Sequence, residues 1–232
     1  MVDWHNPQTI AAELFAYVKL LHVVAGLYFW EYFTNLHYEW EFIKRKRPYR
    51  WTIWLYSVTR FCALMNIILG LVAFNTQRPL NCELWLLFEF IFAYVAFALA
   101  AFLIIIRIVA IWNRDRYVSL LAISIWLVNI AFLLRSTAKA DSKWDDGSKG
   151  CTIVNSKDSR INVTVTLVSD LLCLFIMIIG LRRQRDHALG RMLFNQGLIW
   201  VVLATVSEMP PTIFLWLDLN DAMNIMFQTP SR

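Results

Sequence analysis

Six ionisable side chains stand inside long apolar runs of this 232-residue sequence: Lys19, His22, Arg60, Glu89, Asp170 and Glu208. Charge is costly in hydrocarbon, so groups kept there point to a function or to a partner that neutralises them. Counting ~1.5 Å per helical residue from the outer ends of their runs puts Glu89 and Asp170 ~10–12 Å deep, with Glu208 shallower. The three acids would then ring an outward-facing cavity, joined by Lys19 and His22. Such a pocket suits a cationic or amine-bearing ligand, or the relay of protons. The competing reading is that each acid caps a neighbouring Trp, Tyr or hydroxyl and only glues helices together. The residues leave both open.

Glu31 falls at a depth close to Arg60, and the two are expected to form a buried ion pair across the first two helices. A purely structural pair is favoured over a functional one. Cys82 precedes the third apolar run and Cys151 lies in the long loop after the fourth, so an oxidising exterior would permit a Cys82–Cys151 disulfide pinning that loop. Cys62 and Cys173 lie within runs and read as small apolar fillers. Arg107, Trp112 and Arg114 close the third run, where seven-helix receptors carry a charged cytosolic contact. Here snorkelling at the interface explains them better. Asn162-Val163-Thr164 is a glycosylation sequon by pattern, close to the mouth of the fifth run. Pro210-Pro211 removes two backbone donors and should bend or break the sixth.

Several chemistries lack their residues. His5, His22, His37 and His187 have no metal-ligand spacing. No Gly-rich phosphate loop occurs, and no apolar Gly-x-x-x-Gly face. The last runs hold no lysine for a retinal Schiff base. No catalytic set and no cofactor are expected. An inverted repeat, which would favour a transporter, is not seen.

The elements that must position these groups follow from composition. The sequence is 59% hydrophobic and 17% charged, with a mean hydropathy of +0.51. Soluble domains average ~45–50% apolar and ~25% charged. Eleven Trp and sixteen Phe suit a surface that is apolar too. The expected fold is all-α, a polytopic transmembrane helix bundle in one membrane domain, 1–232. Six complete spans fall near 11–33, 51–74, 84–112, 118–134, 163–181 and 192–217, with an aromatic stretch to Ile43 after the first. An outer loop covers 135–162 and a tail 218–232. The tail is too short to cross, since a span needs ~20 residues. Ala222 to Phe227 nevertheless reads as the start of a seventh helix, capped by Asn220 or Asp221.

Charge sets the orientation. Lys44, Arg45, Lys46, Arg47, Arg50, Arg107, Arg114, Arg116, Arg182, Arg183, Arg185 and Arg191 fall on one side, twelve in all, against seven on the other. The positive-inside rule places those loops in the cytosol and the N-terminus outside. The net charge of +5 is thus a topology signal, and nucleic acid is not an expected partner.

These residues carry a family resemblance. Trp30-Glu-Tyr32, Tyr38-Glu-Trp40, Arg47-Pro-Tyr-Arg-Trp51 and Tyr56-Ser-Val-Thr-Arg60 are followed by Arg107-Ile-Val-Ala-Ile-Trp112. Then come Gln196-Gly-Leu-Ile-Trp200, Ala204-Thr205, Glu208-Met-Pro210, Leu219-Asn-Asp221 and Asn224-Ile-Met-Phe-Gln228. Across nearly its whole length the sequence resembles a large group of uncharacterised seven-transmembrane membrane proteins of basidiomycete fungi. The resemblance implies a seventh helix beginning near the last motif, where this sequence stops. It implies no activity.

The leading functional expectation is a receptor-like sensor with an outward-facing polar pocket. A small-solute or proton-coupled transporter and a structural or accessory membrane subunit are the alternatives. Expected partners are the lipid bilayer, a small-molecule ligand on the outer side and a cytosolic protein. Which membrane holds the chain is left open.

Overall fold

The computed structural model describes residues 7–44, 51–76, 81–139, 142–145, 150–153, 159–183 and 188–217. The tail 218–232, with its expected seventh-helix stub, and most of the first basic loop lie outside the described residues. Six helices and one small hairpin are seen: α1 (Pro7–Ile43), α2 (Trp51–Asn75), α3 (Cys82–Ile111), α4 (Arg116–Lys139), β1 (Ser142–Asp145), β2 (Gly150–Ile153), α5 (Ser159–Arg183) and α6 (Ala188–Leu217).

Five helices hold segments long and apolar enough to cross a membrane: Ala12–His37, Trp51–Ala73, Cys82–Ile111, Arg116–Arg135 and Ile161–Gly180. In α6 the described apolar segment, Val201–Pro210, is shorter. Phe15, Leu27 and Trp30 on α1, Leu120 on α4, Phe175 on α5 and Ile213 on α6 are all exposed. Apolar surface on that scale needs lipid to cover it. The chain is therefore built as a multi-pass membrane protein.

The structure adds detail to the sequence reading at three places. The aromatic stretch after the first span is helix, and α1 runs on to Ile43. Nothing between Thr34 and Ile43 breaks it: no Gly or Pro intervenes, and the Thr34 hydroxyl and Asn35 amide donate back to carbonyls one turn earlier. At ~1.5 Å per residue its 37 residues span ~55 Å, well beyond a ~30 Å hydrocarbon core. The outer loop 135–162 is largely structured. Helix α4 continues to Lys139 and α5 begins at Ser159, with the β1–β2 hairpin between them, pairing Ser142 with Ile153 and Trp144 with Cys151. Finally, of the two outcomes expected at Pro210-Pro211, a break is not seen, since α6 stays helical to Leu217. The hydroxyls of Ser207 and Thr212 bond the carbonyls of Ala204 and Glu208 around the two prolines.

Two compact units divide the chain. Residues 1–100 with 140–155 form the first, and 101–139 with 156–232 the second. In the first, α1 packs on α2, the Trp85 indole of α3 donates to the Leu69 carbonyl of α2 (3.1 Å), and β2 lies along α2. Asn81 caps α3 by accepting from the Leu84 amide. In the second, α5 packs on α6 and on α4. Its core is Ile105, Ile108, Ile111, Ala122, Cys173, Met177 and Val201, with Ile108 wholly inaccessible.

Candidate functional site

The second unit gathers buried polar side chains at the middle of its helices. Asn129, Thr166, Ser169, Thr205, Glu208 and Thr212 are all buried. The Asn129 amide oxygen accepts from the Thr166 hydroxyl at 3.2 Å, linking α4 to α5. Ser169 and Thr205 turn their hydroxyls back onto the carbonyls of Val165 and Val201, which satisfies them within their own helices. Toward the far end of α6 the Trp216 indole donates to the Thr164 hydroxyl at 2.9 Å.

Asp170 and Glu208 meet between α5 and α6, with their carboxyl groups within hydrogen-bonding reach of each other. Ionised carboxylates only accept, so a hydrogen bond between two of them requires a proton on one. Asp170 lies ~16 Å along α5 from Ser159, about half a bilayer core. It also lines a small cavity with Ser169, Asn129, Trp126, Ile105 and Cys173, with room for about one water molecule. The cavity is too small for a drug-sized ligand, which takes ~300–1,000 Å³. Two carboxyls in reach of each other, beside a water-sized and mostly apolar space that also touches Asn129 and Ser169, can together take up or release a proton.

No family model, curated protein or solved structure matches this chain.

The other expected pocket residues belong to the first unit. Glu89 directs one carboxyl oxygen toward α2, 3.8 Å from where a Cβ on Gly70 would stand. Lys19 is exposed on α1, its ammonium 4.3 Å from the Phe15 ring on the same helix. His22 is exposed too, with Nδ1 2.7 Å from the Val18 carbonyl and Nε2 3.4 Å from the Asn75 amide. Within the second unit, Asp170 and Glu208 are brought together.

Arg60 is buried in the first unit with 7% of its surface exposed. Its guanidinium lies over the rings of Tyr32 (5.0 Å) and Tyr56 (5.6 Å) and donates to the Glu31 carbonyl at 3.3 Å. The Glu31 side chain itself is exposed, so Glu31 meets Arg60 through its backbone. The Tyr28 hydroxyl donates to the Arg60 carbonyl at 2.9 Å, tying α1 to α2.

Cys62 and Cys173 are free, buried thiols. Cys82 is buried at the head of α3. The Cys151 side chain lies outside the described residues, although its backbone is in β2. Asn162 is buried in the first turn of α5, a poor acceptor for a glycan. Among the described residues no group of three or more His, Cys, Asp or Glu converges as a metal site.

The Arg107–Trp112–Arg114 cluster takes definite form in the second unit. Helix α3 closes in a Schellman motif: the Arg114 amide bonds the Val109 carbonyl (3.0 Å) and the Asn113 amide the Ala110 carbonyl (3.2 Å). Asn113 and Arg114 both take left-handed backbone, φ 48° and 62°. The Asp115 carboxylate then caps α4 through the Tyr117 amide. Trp112 is fixed by an indole bond to the Ile176 carbonyl of α5 (3.2 Å). Arg107 and Arg114 are exposed.

Sequence reasoning missed Asn129, Thr166 and Gly180. A Cβ on Gly180 would stand 2.6 Å from Ile111 Cγ2 and 2.7 Å from Trp112 Nε1, so only glycine lets α5 pass there. An amide within the apolar run of α4 was the available signal for Asn129. Gly180 carried none, because its role depends on a neighbour far away in sequence.

Proposed function

We propose that this protein is a receptor-like membrane sensor whose sensing element is the Asp170–Glu208 pair, responding to a proton or small cation reaching it from the outer side. The approach of the two carboxyls to within hydrogen-bonding reach, beside a water-sized and mostly apolar cavity, carries this reading. Loss of the shared proton would set two like charges against each other at membrane depth, where Coulomb terms are weakly screened. The α5–α6 contact would then loosen, which is how a local charge change becomes a conformational signal. Six spans, an outside N-terminus and cytosolic basic loops complete the topology we infer. The fungal resemblance is consistent with it and adds a seventh helix.

Infrared difference spectroscopy on the purified protein tests the pair directly. A protonated-carboxyl band that changes with pH, and that both Asp170→Asn and Glu208→Gln abolish, is the expected result. A spectrum indifferent to both substitutions would sink the proposal. Proteoliposomes holding an internal pH dye separate the alternatives. Proton flux makes the protein a carrier, a band change without flux makes it a sensor, and neither leaves an accessory subunit. An epitope at Lys46 reachable from outside intact cells would overturn the orientation.

The outer loop belongs to the same reading. Cys62 and Cys173 are free thiols within spans, and β2, which contains Cys151, lies along α2. We infer the Cys82–Cys151 disulfide on that basis together with an oxidising outer side. Peptide mapping without reductant should recover the two cysteines in one linked fragment, and separate alkylated peptides would refute it.

A further inference from the structure

Four exposed arginines stand at one end of the second unit, contributed by two separate segments. Arg114 and Arg116 flank the α3–α4 turn, and Arg182 and Arg183 form the last turn of α5. The fold joins these segments through Trp112. Its indole is bonded to the Ile176 carbonyl, its ring rests where Gly180 has no side chain, and the Arg183 guanidinium lies 5.8 Å from its centroid. Arg114 is held by the Schellman turn in a left-handed conformation that a non-glycine residue adopts only when its surroundings impose it. Among the described residues there, the acid Asp115 is occupied in capping α4. Tyr117 beside them is 85% exposed.

From this juxtaposition we propose that the Trp112 end of the second unit is a binding site for the phosphate of an anionic glycerophospholipid in the leaflet it faces. Arginine forks match phosphate oxygens in bidentate geometry. Trp and Tyr sit at headgroup level in membrane proteins, where such a phosphate lies. Simple interfacial anchoring would need arginines near the helix ends. It would not need Arg114 in a strained turn, or α5 drawn against Trp112 by a glycine. The site is independent of the acid pair and of which side of the membrane is cytosolic.

The test uses the full chain, purified in neutral detergent and titrated with phosphatidic acid, phosphatidylcholine or inorganic phosphate, with bound lipid counted by native mass spectrometry. One phosphatidic acid should bind in preference to phosphatidylcholine. Arg114→Gln and Arg183→Gln should each weaken it about fivefold, and together about 25-fold. Arg135→Gln, near the opposite end of α4, should leave binding unchanged. Trp112→Phe removes the indole bond but no charge, and should weaken binding as well, an effect that diffuse charge attraction does not predict. Equal retention of both lipids, or equal loss in Arg135→Gln, overturns the site. Competition by inorganic phosphate at matching concentrations overturns the lipid as its source. A wild-type melting profile in each variant shows that the loss is one of binding.

Discussion

The two units bury charge by opposite means. The first buries a cation, Arg60, whose described neighbours include two tyrosine faces and the Glu31 carbonyl. The second brings two acids, Asp170 and Glu208, within hydrogen-bonding reach of each other. A guanidinium stays protonated at any physiological pH, so its surroundings amount to permanent structure. A carboxyl pair gains or loses its bond with one proton. On the function proposed above, the Arg60 cluster is scaffold and the Asp170–Glu208 pair is the responsive element.

Glycines provide the strongest way to break the comparison. Gly180→Ala should cost about 2–3 kcal/mol, because its Cβ overlaps Ile111 and Trp112 in a closely packed contact. Gly26→Ala in the first unit meets nothing within 4 Å and should be neutral, or stabilising by up to about 1 kcal/mol through helix propensity. Thermal melts of the two variants in one detergent measure the difference. Equal melting points would mean that α5 does not approach α3 as closely as described.

The acid pair comes next. In a double-mutant cycle, Asp170→Ala and Glu208→Ala should couple by about 0.6–1.7 kcal/mol, the range of polar pairs between membrane helices. The same cycle on Asp170 and Thr212, which bonds only its own helix, should couple weakly. A vanishing Asp170–Glu208 term would remove the sensing element from the proposal. Trp216→Phe, which loses one bond to Thr164, should cost about 0.5–1.5 kcal/mol.

Much of the helical framework was legible because span length and apolar run share one cause, the thickness of hydrocarbon. Helices α2 and α3 begin and end within a few residues of the expected 51–74 and 84–112. The errors fell where helix persists without apolarity, as in Thr34 to Ile43 and Arg135 to Lys139. Hydropathy measures lipid exposure there, not helicity. Within the site, Asp170 and Glu208 stood out as costly charges, although depth counting levelled Asp170 with Glu89 and put Glu208 shallower. Lys19 and His22 were drawn in by the same depth argument. Depth says nothing of rotation about the helix axis, and both residues emerged on an exposed face. Arg60 was recognised as a buried cation, but its aromatic partners were not: a stacked guanidinium needs ring faces at a set distance, which sequence spacing does not encode.

That aromatic enclosure gives the finest test of the contrast. Tyr32→Leu and Tyr56→Leu each remove one ring from the Arg60 guanidinium and should cost about 0.5–1 kcal/mol, since cation–π contacts of moderate exposure fall in that range. Arg60→Lys keeps the charge but loses the planar stack, and should cost a similar amount rather than rescue it. Because the guanidinium does not titrate, these losses should be the same at every pH where the protein folds. Variants at Asp170 or Glu208 should instead show losses that change with pH, because the bond they remove depends on a proton. Melting each set across pH separates the two behaviours. A pH-dependent loss at Tyr32 or Tyr56 would show that the first unit, too, holds a titrating partner, and would erase the division of labour.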